Sequence, residues 1–322
     1  MTIHSDIISK AEQIQKRLLA FQPENLRDRS KSFVLPERAA LIVGPRGVGK
    51  TTCMLELARQ KHLLYFSVDH PLINAAPLYD LIESACMRGY DGVLIDEVHY
   101  ARDWARHLKA AYDALPGHCI VAADSSASAL RSGLPDLSRR FPNFQMPLLS
   151  FREYLMLKLN KSIPVIDPFS PDEKVVRALF RDLPVMRHFE DYLKRGFRPF
   201  FLEDSRLYQE KVMNTVSKTL ESDIPFILPQ ISPNHLRLIQ AIIGHLALSA
   251  VPRLQFNNLC RDWSVGKEKL YELLMAMERS YLIRIIRREH DHKVHSVGAK
   301  LLLQEPSIYG FFGQNRGTLR EA

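Results

Sequence analysis

The chain lacks several features that define whole classes of protein. Its 322 residues include only four cysteines, Cys53, Cys86, Cys119 and Cys260, which are scattered and form no C-x-x-C pair. This spacing argues against a disulfide framework or a zinc site and predicts reduced, buried thiols. No apolar stretch reaches membrane-spanning length, and the amphipathic N-terminal segment is interrupted by charges, so neither a span nor a signal peptide is predicted. A cytoplasmic location is expected.

The composition is otherwise that of an ordinary globular protein. Hydrophobic residues make up 46% of the chain and charged residues 25%, and the length predicts at least two domains. An excess of 44 Lys and Arg over 36 Asp and Glu gives a net charge of +8. This charge is compatible with nucleic acid or acidic partners, although many basic proteins bind neither.

An apolar run, residues 41–43, leads directly into a phosphate-binding motif of the form G-x-x-x-x-G-K-T. Its glycines allow the loop to point backbone N–H groups at phosphates, and the following helix adds its positive end. Lys50 is predicted to reach the β- and γ-phosphates, and the Thr51 hydroxyl to ligate Mg²⁺. The predicted nucleotide-binding residues are Gly44, Pro45, Arg46, Gly47, Val48, Gly49, Lys50, Thr51 and Thr52.

A second apolar strand, residues 92–95, ends in the acids Asp96 and Glu97. Asp96 is predicted to hold Mg²⁺ through water together with Thr51, and Glu97 to polarise the water that attacks the γ-phosphate. Acids at strand ends also occur by chance, so the pair of motifs in this order carries the prediction. No Asn-Lys-x-Asp segment for guanine follows, which favours ATP over GTP.

Strands alternate with helices up to about residue 150, which predicts an α/β fold with a parallel P-loop NTPase sheet covered by helices on both faces. Beyond that point an all-helical segment and then a winged-helix domain are predicted. The expected regions are a helical lead-in (1–35), the ATPase core (36–150), a helical lid or linker (151–230), the winged helix (231–300) and the start of a further region (301–322).

The winged-helix prediction rests on three apolar helices followed by a strand at 281–288, a turn and a return strand at 293–297. In such a domain the third helix enters the DNA major groove and the wing contacts phosphate. The predicted DNA contacts are Lys267, Lys269, Arg284, Arg287 and Arg288. The alternative is a winged helix that packs against protein and never touches DNA. His290, His292 and His295 at the turn are interpreted as solvated rather than as a metal site.

These motifs resemble those of the prokaryotic predicted ATPases of the AAA+ type that carry a C-terminal winged helix and a nuclease-like region. The resemblance rests on the phosphate-binding motif, on residues 94–99 and 103–110, and on later segments at 192–197 and 219–224. The run Pro147–Leu155 is the most family-specific, since generic P-loop proteins lack it.

The resemblance implies further roles at individual positions. Ser125 and Ser126 match a polar sensor of the γ-phosphate, and Arg139 or Arg140 matches an arginine that acts on nucleotide within the chain or across a subunit boundary. A solvated basic helix end is an equal alternative for these arginines. Asp69 matches an acid near the Mg²⁺ site, or is simply a turn residue.

Two departures from the family pattern modify these expectations. Gly47 stands where relatives have a bulkier polar side chain. The final residues, 317–322, resemble the opening of the family's next domain, so we expect no nuclease activity from these 322 residues. The family also implies an oligomer, but nothing in the sequence gives the number of subunits.

Two functions remain open on the sequence. The first is an ATPase whose nucleotide state is coupled to DNA binding or remodelling through the winged helix. The second is a nucleotide-gated switch that hydrolyses slowly and binds a protein partner instead of DNA.

Overall fold

The computed structural model describes residues 2–31, 33–34, 37–125, 135–249, 254–287 and 300–312. The chain divides into two compact units, Met1–Pro147 and Leu148–Ala322. The limits of the five predicted regions stay a prediction. None of the described helices is both long enough and apolar enough to cross a membrane.

The first unit contains five strands and seven helices among its described residues. The strands are β1 (Ala39–Val43), β2 (Leu63–Ser67), β3 (Gly92–Asp96), β4 (Cys119–Asp124) and β5 (Asn143–Gln145). The helices are α1 (Thr2–Ala20), α2 (Asp28–Lys31), α3 (Lys50–Gln60), α4 (Pro71–Asn74), α5 (Leu78–Met87), α6 (Trp104–Ala114) and α7 (Pro135–Arg140).

The five strands form one parallel sheet in the order β2-β3-β4-β1-β5, which confirms the predicted parallel sheet. Every residue of β1 is buried, so both faces of this interior strand are covered. Continuous apolar strands of this kind are typical of parallel sheets between helical layers. All five strands end at the same edge, which we call the phosphate edge.

The N-terminal helix α1 covers the exposed side of the edge strand β2. Ile8 and Ala11 of α1 lie in the core of the first unit. The side-chain amide of Gln15 donates to the Leu63 carbonyl at 3.1 Å, and its oxygen accepts from the Tyr65 N–H at 2.7 Å. One glutamine thus pairs with β2 as a neighbouring strand would.

The second unit is mainly helical. Its helices are α8 (Phe151–Leu159), α9 (Glu173–Asp182), α10 (Val185–Arg195), α11 (Tyr208–Lys218), α12 (Ile224–Ile227), α13 (Pro233–Leu248), α14 (Phe256–Asp262), α15 (Lys267–Arg279) and α16 (Ser307–Phe312). Its strands are β6 (Ile283–Ile286) and β7 (Lys300–Leu303), which pair antiparallel.

A capping box begins the second unit and explains the run from Pro147 to Leu155. The Ser150 hydroxyl accepts from the Glu153 N–H at 3.2 Å, and the Glu153 carboxylate accepts from the Ser150 N–H at 3.2 Å. Two N–H groups at the start of α8 are thereby satisfied. Tyr154 and Leu155 then face a small apolar core.

The described partner of β6 differs from the expected one. Leu301 pairs with Ile285, whereas the predicted return strand at 293–297 lies outside the described residues. Residues 300–312 also pack inside the second unit, where Ile308 and Tyr309 join its core. Three helices and a two-stranded sheet are therefore present, and the winged-helix assignment stays a prediction.

A buried ion pair, which we call the Arg198–Glu305 lock, connects distant parts of the second unit. Arg198 Nε lies 2.5 Å from Glu305 Oε2, and both side chains are almost fully buried. The other carboxylate oxygen accepts from the hydroxyls of Tyr208 (3.0 Å) and Ser307 (2.6 Å). Tyr208 in turn accepts from the N–H of Arg198. Both oxygens of a buried carboxylate are thus hydrogen-bonded, as burial of a charge requires.

Candidate functional site

The loop between β1 and α3 curls at the phosphate edge because its glycines permit that path. Gly47 and Gly49 have φ values of +72° and +97°, which favour glycine. At Gly44 a side chain is excluded instead by space, since an added Cβ would lie 2.1 Å from the Met146 carbonyl oxygen. The predicted phosphate-binding residues therefore form a tight turn at the start of an 11-residue helix.

Arg27 supports this loop from the segment that precedes β1. Its guanidinium is buried and donates to the carbonyls of Val48 and Pro147, both at 2.9 Å. The Gln22 amide also donates to the Thr52 carbonyl at 3.1 Å. These contacts fix the loop backbone, and neither residue was predicted from the sequence.

Lys50 lies inside the loop with its ammonium group held by backbone. Its Nζ donates to the carbonyls of Gly44 at 2.7 Å and Pro45 at 3.0 Å. Burial lowers the pKa of Lys50, while the nearby charges of Glu97 and Asp96 raise it. A buried ammonium group at the start of a helix is suited to bind phosphate oxygens.

Asp96 ends β3 directly beside Thr51. Its Oδ2 accepts from the Thr51 hydroxyl at 2.6 Å and from the Tyr65 hydroxyl at 3.1 Å, and its Oδ1 accepts from the Glu97 N–H at 3.0 Å. Burial raises the pKa of Asp96, and these hydrogen bonds and Lys50 oppose the rise. The structure thus brings the two predicted metal-binding residues together, and Tyr65 is an addition.

The donor set fits Mg²⁺. A hydroxyl oxygen and a carboxylate oxygen within 2.6 Å of each other are hard ligands of the kind Mg²⁺ accepts, with water and phosphate filling its other positions. Among the described residues no group of three His, Cys, Asp or Glu side chains forms a metal site without phosphate.

Glu97 follows Asp96 in a left-handed backbone conformation, with φ of +48°. Such a conformation in a non-glycine residue indicates local strain, which is frequent at functional sites. The Glu97 carboxylate pairs with Arg46 at 3.2 Å and lies 3.6 Å from His99 Nδ1. Burial raises the pKa of Glu97, and Arg46 and Lys50 oppose the rise.

His99 and Asp124 extend this cluster in a way the sequence did not predict. His99 Nδ1 lies 3.3 Å from Asp124 Oδ1, and both side chains are buried. Asp124 is the last residue of β4, immediately before the predicted sensor Ser125. The sequence signal that could have identified Asp124 is its position at the end of a strand, because the carboxyl ends of parallel strands lie at the same edge of a sheet.

The other residues predicted at the phosphate edge differ in their burial and hydrogen bonding. The Ser125 side chain is buried, and its hydroxyl makes no hydrogen bond with the described residues. Ser126 lies outside the described residues. Asp69 is exposed and accepts from the Ser67 hydroxyl at 2.6 Å, a local turn contact.

Arg140 lies away from the phosphate edge, and Arg139 is exposed. Arg140 pairs with Asp113 at 2.9 Å, and its guanidinium lies 5.8 Å from the centroid of the Tyr112 ring. The guanidinium of Arg38 also stacks on the Tyr112 ring, 3.8 Å from its centroid. Arg38 precedes β1, whereas the phosphate-binding loop follows it, and a five-residue strand spans roughly 16 Å. A role for Arg140 on nucleotide bound to the same chain is therefore not supported, and a role across a subunit boundary stays a prediction.

The predicted DNA-binding residues differ in their ion pairing and in their exposure. Lys269 pairs with Glu272 at 2.7 Å, and Arg287 pairs with Glu278 at 2.7 Å, so both charges are balanced within the fold. Lys267 and Arg284 are exposed. Arg288 and the three histidines at 290–295 lie outside the described residues.

The third helix of the predicted winged helix, α15, has a mixed charge. Its sequence, KEKLYELLMAMER, contains three basic and three acidic residues. A helix that reads DNA by its charge would carry an excess of basic residues. Of the predicted DNA contacts that the structure describes, Lys267 and Arg284 are therefore the two that are exposed.

Comparison with known proteins finds a similarity to one family in this part of the chain. Residues 36–155 match a family described as an AAA domain. The match covers the phosphate-binding loop, Asp96, Glu97 and Asp124. No curated protein matches the chain.

Three solved structures are similar to the chain at low identity. A Walker-type ATPase of Pyrococcus abyssi has a TM-score of 0.47 and 14% identity over 85% of this chain and 90% of its own. The Orc1 protein of Aeropyrum pernix, solved in complex with DNA, has a TM-score of 0.36 and 12% identity over 95% and 98%. AMPPCP-bound DnaA from Aquifex aeolicus has a TM-score of 0.27 and 15% identity over 84% and 87%. TM-scores below 0.5 carry no conclusion, so the comparisons show a similarity of residues 36–155 to the AAA domain family.

Proposed function

We propose that the protein binds and hydrolyses ATP at the phosphate edge of its first unit. The observation that carries this proposal is the assembly of Lys50, Thr51, Asp96 and Glu97 within one cluster of hydrogen bonds and charges. The AAA domain match to residues 36–155 supports the same activity.

Each residue then has a defined task. The loop N–H groups and Lys50 bind the phosphates, and Lys50 exchanges two carbonyl partners for phosphate oxygens. Thr51 and Asp96 hold Mg²⁺, which neutralises charge on the phosphate oxygens when bound. Glu97 accepts a proton from the attacking water, and its raised pKa makes it a stronger base than an exposed carboxylate.

We further propose that the second unit couples this activity to DNA through Lys267 and Arg284, the exposed basic residues beside the predicted third helix and wing. The net charge of +8 supports this proposal. The balanced charge of α15 favours the second candidate, a nucleotide-gated switch that binds a protein partner.

The first experiment is steady-state ATP hydrolysis with and without duplex and single-stranded DNA. Glu97→Gln is expected to keep nucleotide binding and to lower turnover by about 100-fold or more, and Lys50→Ala to abolish tight binding. Full turnover in Glu97→Gln would show that another group is the base.

DNA dependence separates the two candidate functions. Stimulation of turnover by DNA supports DNA coupling, and indifference to DNA supports the switch. Arg284→Glu should weaken DNA binding and reduce its salt dependence, whereas Lys269→Ala, a paired residue of the same region, should change it less.

A further inference from the structure

Arg46, the third residue of the phosphate-binding loop, contacts Glu97 rather than pointing into solvent. Its Nη1 lies 3.2 Å from Glu97 Oε1, with side-chain exposures of 9% and 19%. Both charges act on Lys50. The Glu97 carboxylate raises the pKa of the lysine, and the Arg46 guanidinium lowers it. A second cation, the Arg46 guanidinium, is thus present near the ammonium group of the phosphate-binding lysine.

The Glu97 carboxylate has an uneven set of partners. Its Oε1 has the Arg46 guanidinium, whereas its buried Oε2 is 3.6 Å from His99 Nδ1 and makes no hydrogen bond with the described residues. Arg46 is therefore its principal partner. While this pair persists, the charge of the carboxylate is neutralised and less able to polarise a water molecule.

We propose that Arg46 distinguishes a nucleoside triphosphate from a diphosphate by exchanging the Glu97 carboxylate for the γ-phosphate. This inference rests on the proposed binding of ATP at the same loop. A γ-phosphate presents more negative charge than one carboxylate, and a guanidinium binds two of its oxygens at once. The exchange frees Glu97 to polarise the attacking water. A diphosphate has no γ-oxygens, so Arg46 stays on Glu97.

The proposal separates two ways in which Arg46 can affect nucleotide binding. Arg46 either touches the γ-phosphate or acts only by neutralising Glu97. In a Glu97→Gln protein the second route is closed, because a neutral amide needs no counter-charge. That background is also expected to bind ATP without turning it over, so that equilibrium affinity can be measured.

The test compares the affinities of Glu97→Gln and Arg46→Ala/Glu97→Gln for ATP and for ADP, by competition against a fluorescent nucleotide. The added Arg46→Ala change should weaken ATP binding by about tenfold or more, the size of a lost charge-assisted hydrogen bond, and ADP binding by less than about twofold. Arg46→Lys in the same background should lie between, since it keeps the charge but not the fork.

Equal weakening for ATP and ADP, or no weakening for either, would overturn the assignment of Arg46. If Glu97→Gln itself binds neither nucleotide, the proposed function fails instead. Thermal melting of each variant confirms folding. Should Arg46→Ala not fold, Arg46→Gln and Arg46→Lys make the same comparison with less change in volume.

Discussion

The two units bury charge in contrasting ways. In the second unit, the Arg198–Glu305 lock hydrogen-bonds both oxygens of its carboxylate at 3.0 Å or less. At the phosphate edge of the first unit, Glu97 has one partner at 3.2 Å, and its second oxygen makes no hydrogen bond with the described residues. The first arrangement suits permanent structure, whereas the second suits partners that exchange.

Burial alone therefore does not distinguish structural charges from functional ones. What differs is how completely each group is satisfied by the protein itself. A fully bonded cluster loses stability when one member is removed. A partly bonded cluster is strained in isolation, so a ligand that completes it gains binding energy.

The largest expected contrast comes from removing one arginine of each kind. Arg198→Met leaves Glu305 buried without its counter-charge and should lower the free energy of unfolding by about 3–5 kcal/mol. Arg46→Met should lower it by less, because the charge of Lys50 still stabilises the Glu97 carboxylate when Arg46 is removed. Urea denaturation of both variants measures the difference. Equal losses would show that the two clusters are not different in kind.

Replacing one aspartate in each unit should show the same contrast in the pH dependence of stability. Asp191 is opposed by burial, yet hydrogen bonds from Lys158, Tyr154 and Arg195 hold its pKa below the ordinary value. Its contribution to stability is therefore present above the unfolded pKa of about 3.9 and is lost as pH falls through the lower folded value. Asp191→Asn should cost about 1–3 kcal/mol at pH 7.

The control for this prediction is Asp96→Asn. Burial raises the pKa of Asp96, so its charge opposes folding at neutral pH and the amide should be tolerated within about 1 kcal/mol. Unfolding of Asp191→Asn at pH 7 and near pH 3 tests the sign. A cost that does not shrink at the lower pH would contradict the assignment.

The smallest effect is expected from tyrosine hydroxyls. Tyr65→Phe removes one of three hydrogen bonds to Asp96 and should cost about 1 kcal/mol, with a several-fold loss of Mg²⁺-dependent ATP affinity. Tyr208→Phe removes a hydroxyl that serves Glu305 and two backbone N–H groups, so its cost should be greater. Thermal melts and nucleotide titration make the comparison. A greater loss of stability for Tyr65→Phe would reverse the ranking of the clusters.

The sequence predicts the elements whose signals are local. Helix α3 follows the phosphate-binding motif as predicted, and α15 lies at the predicted third helix, because apolar spacing and a preceding glycine mark both helices. Lys50, Thr51 and Asp96 meet as expected, since the motif and the strand end both belong to the same sheet edge.

Residues that depend on sheet register were not predictable in the same way. Tyr65 reaches Asp96, 31 positions away, only because β2 and β3 are neighbours in parallel register. His99 and Asp124 meet through the pairing of β3 with β4. Arg140 lies beside Asp113 because α7 ends before β5 begins, a placement that depends on the order of the strands.

Gln15 of α1, whose side chain pairs with the backbone of β2, affects where a minimal fragment of the first unit should begin. The family match begins at residue 36, which would omit α1 and with it Gln15. Such a fragment would present the Leu63 carbonyl and the Tyr65 N–H as an open template for another chain. An expression experiment that begins at residue 36 should therefore yield aggregates, whereas one that retains the first twenty residues should yield dispersed protein.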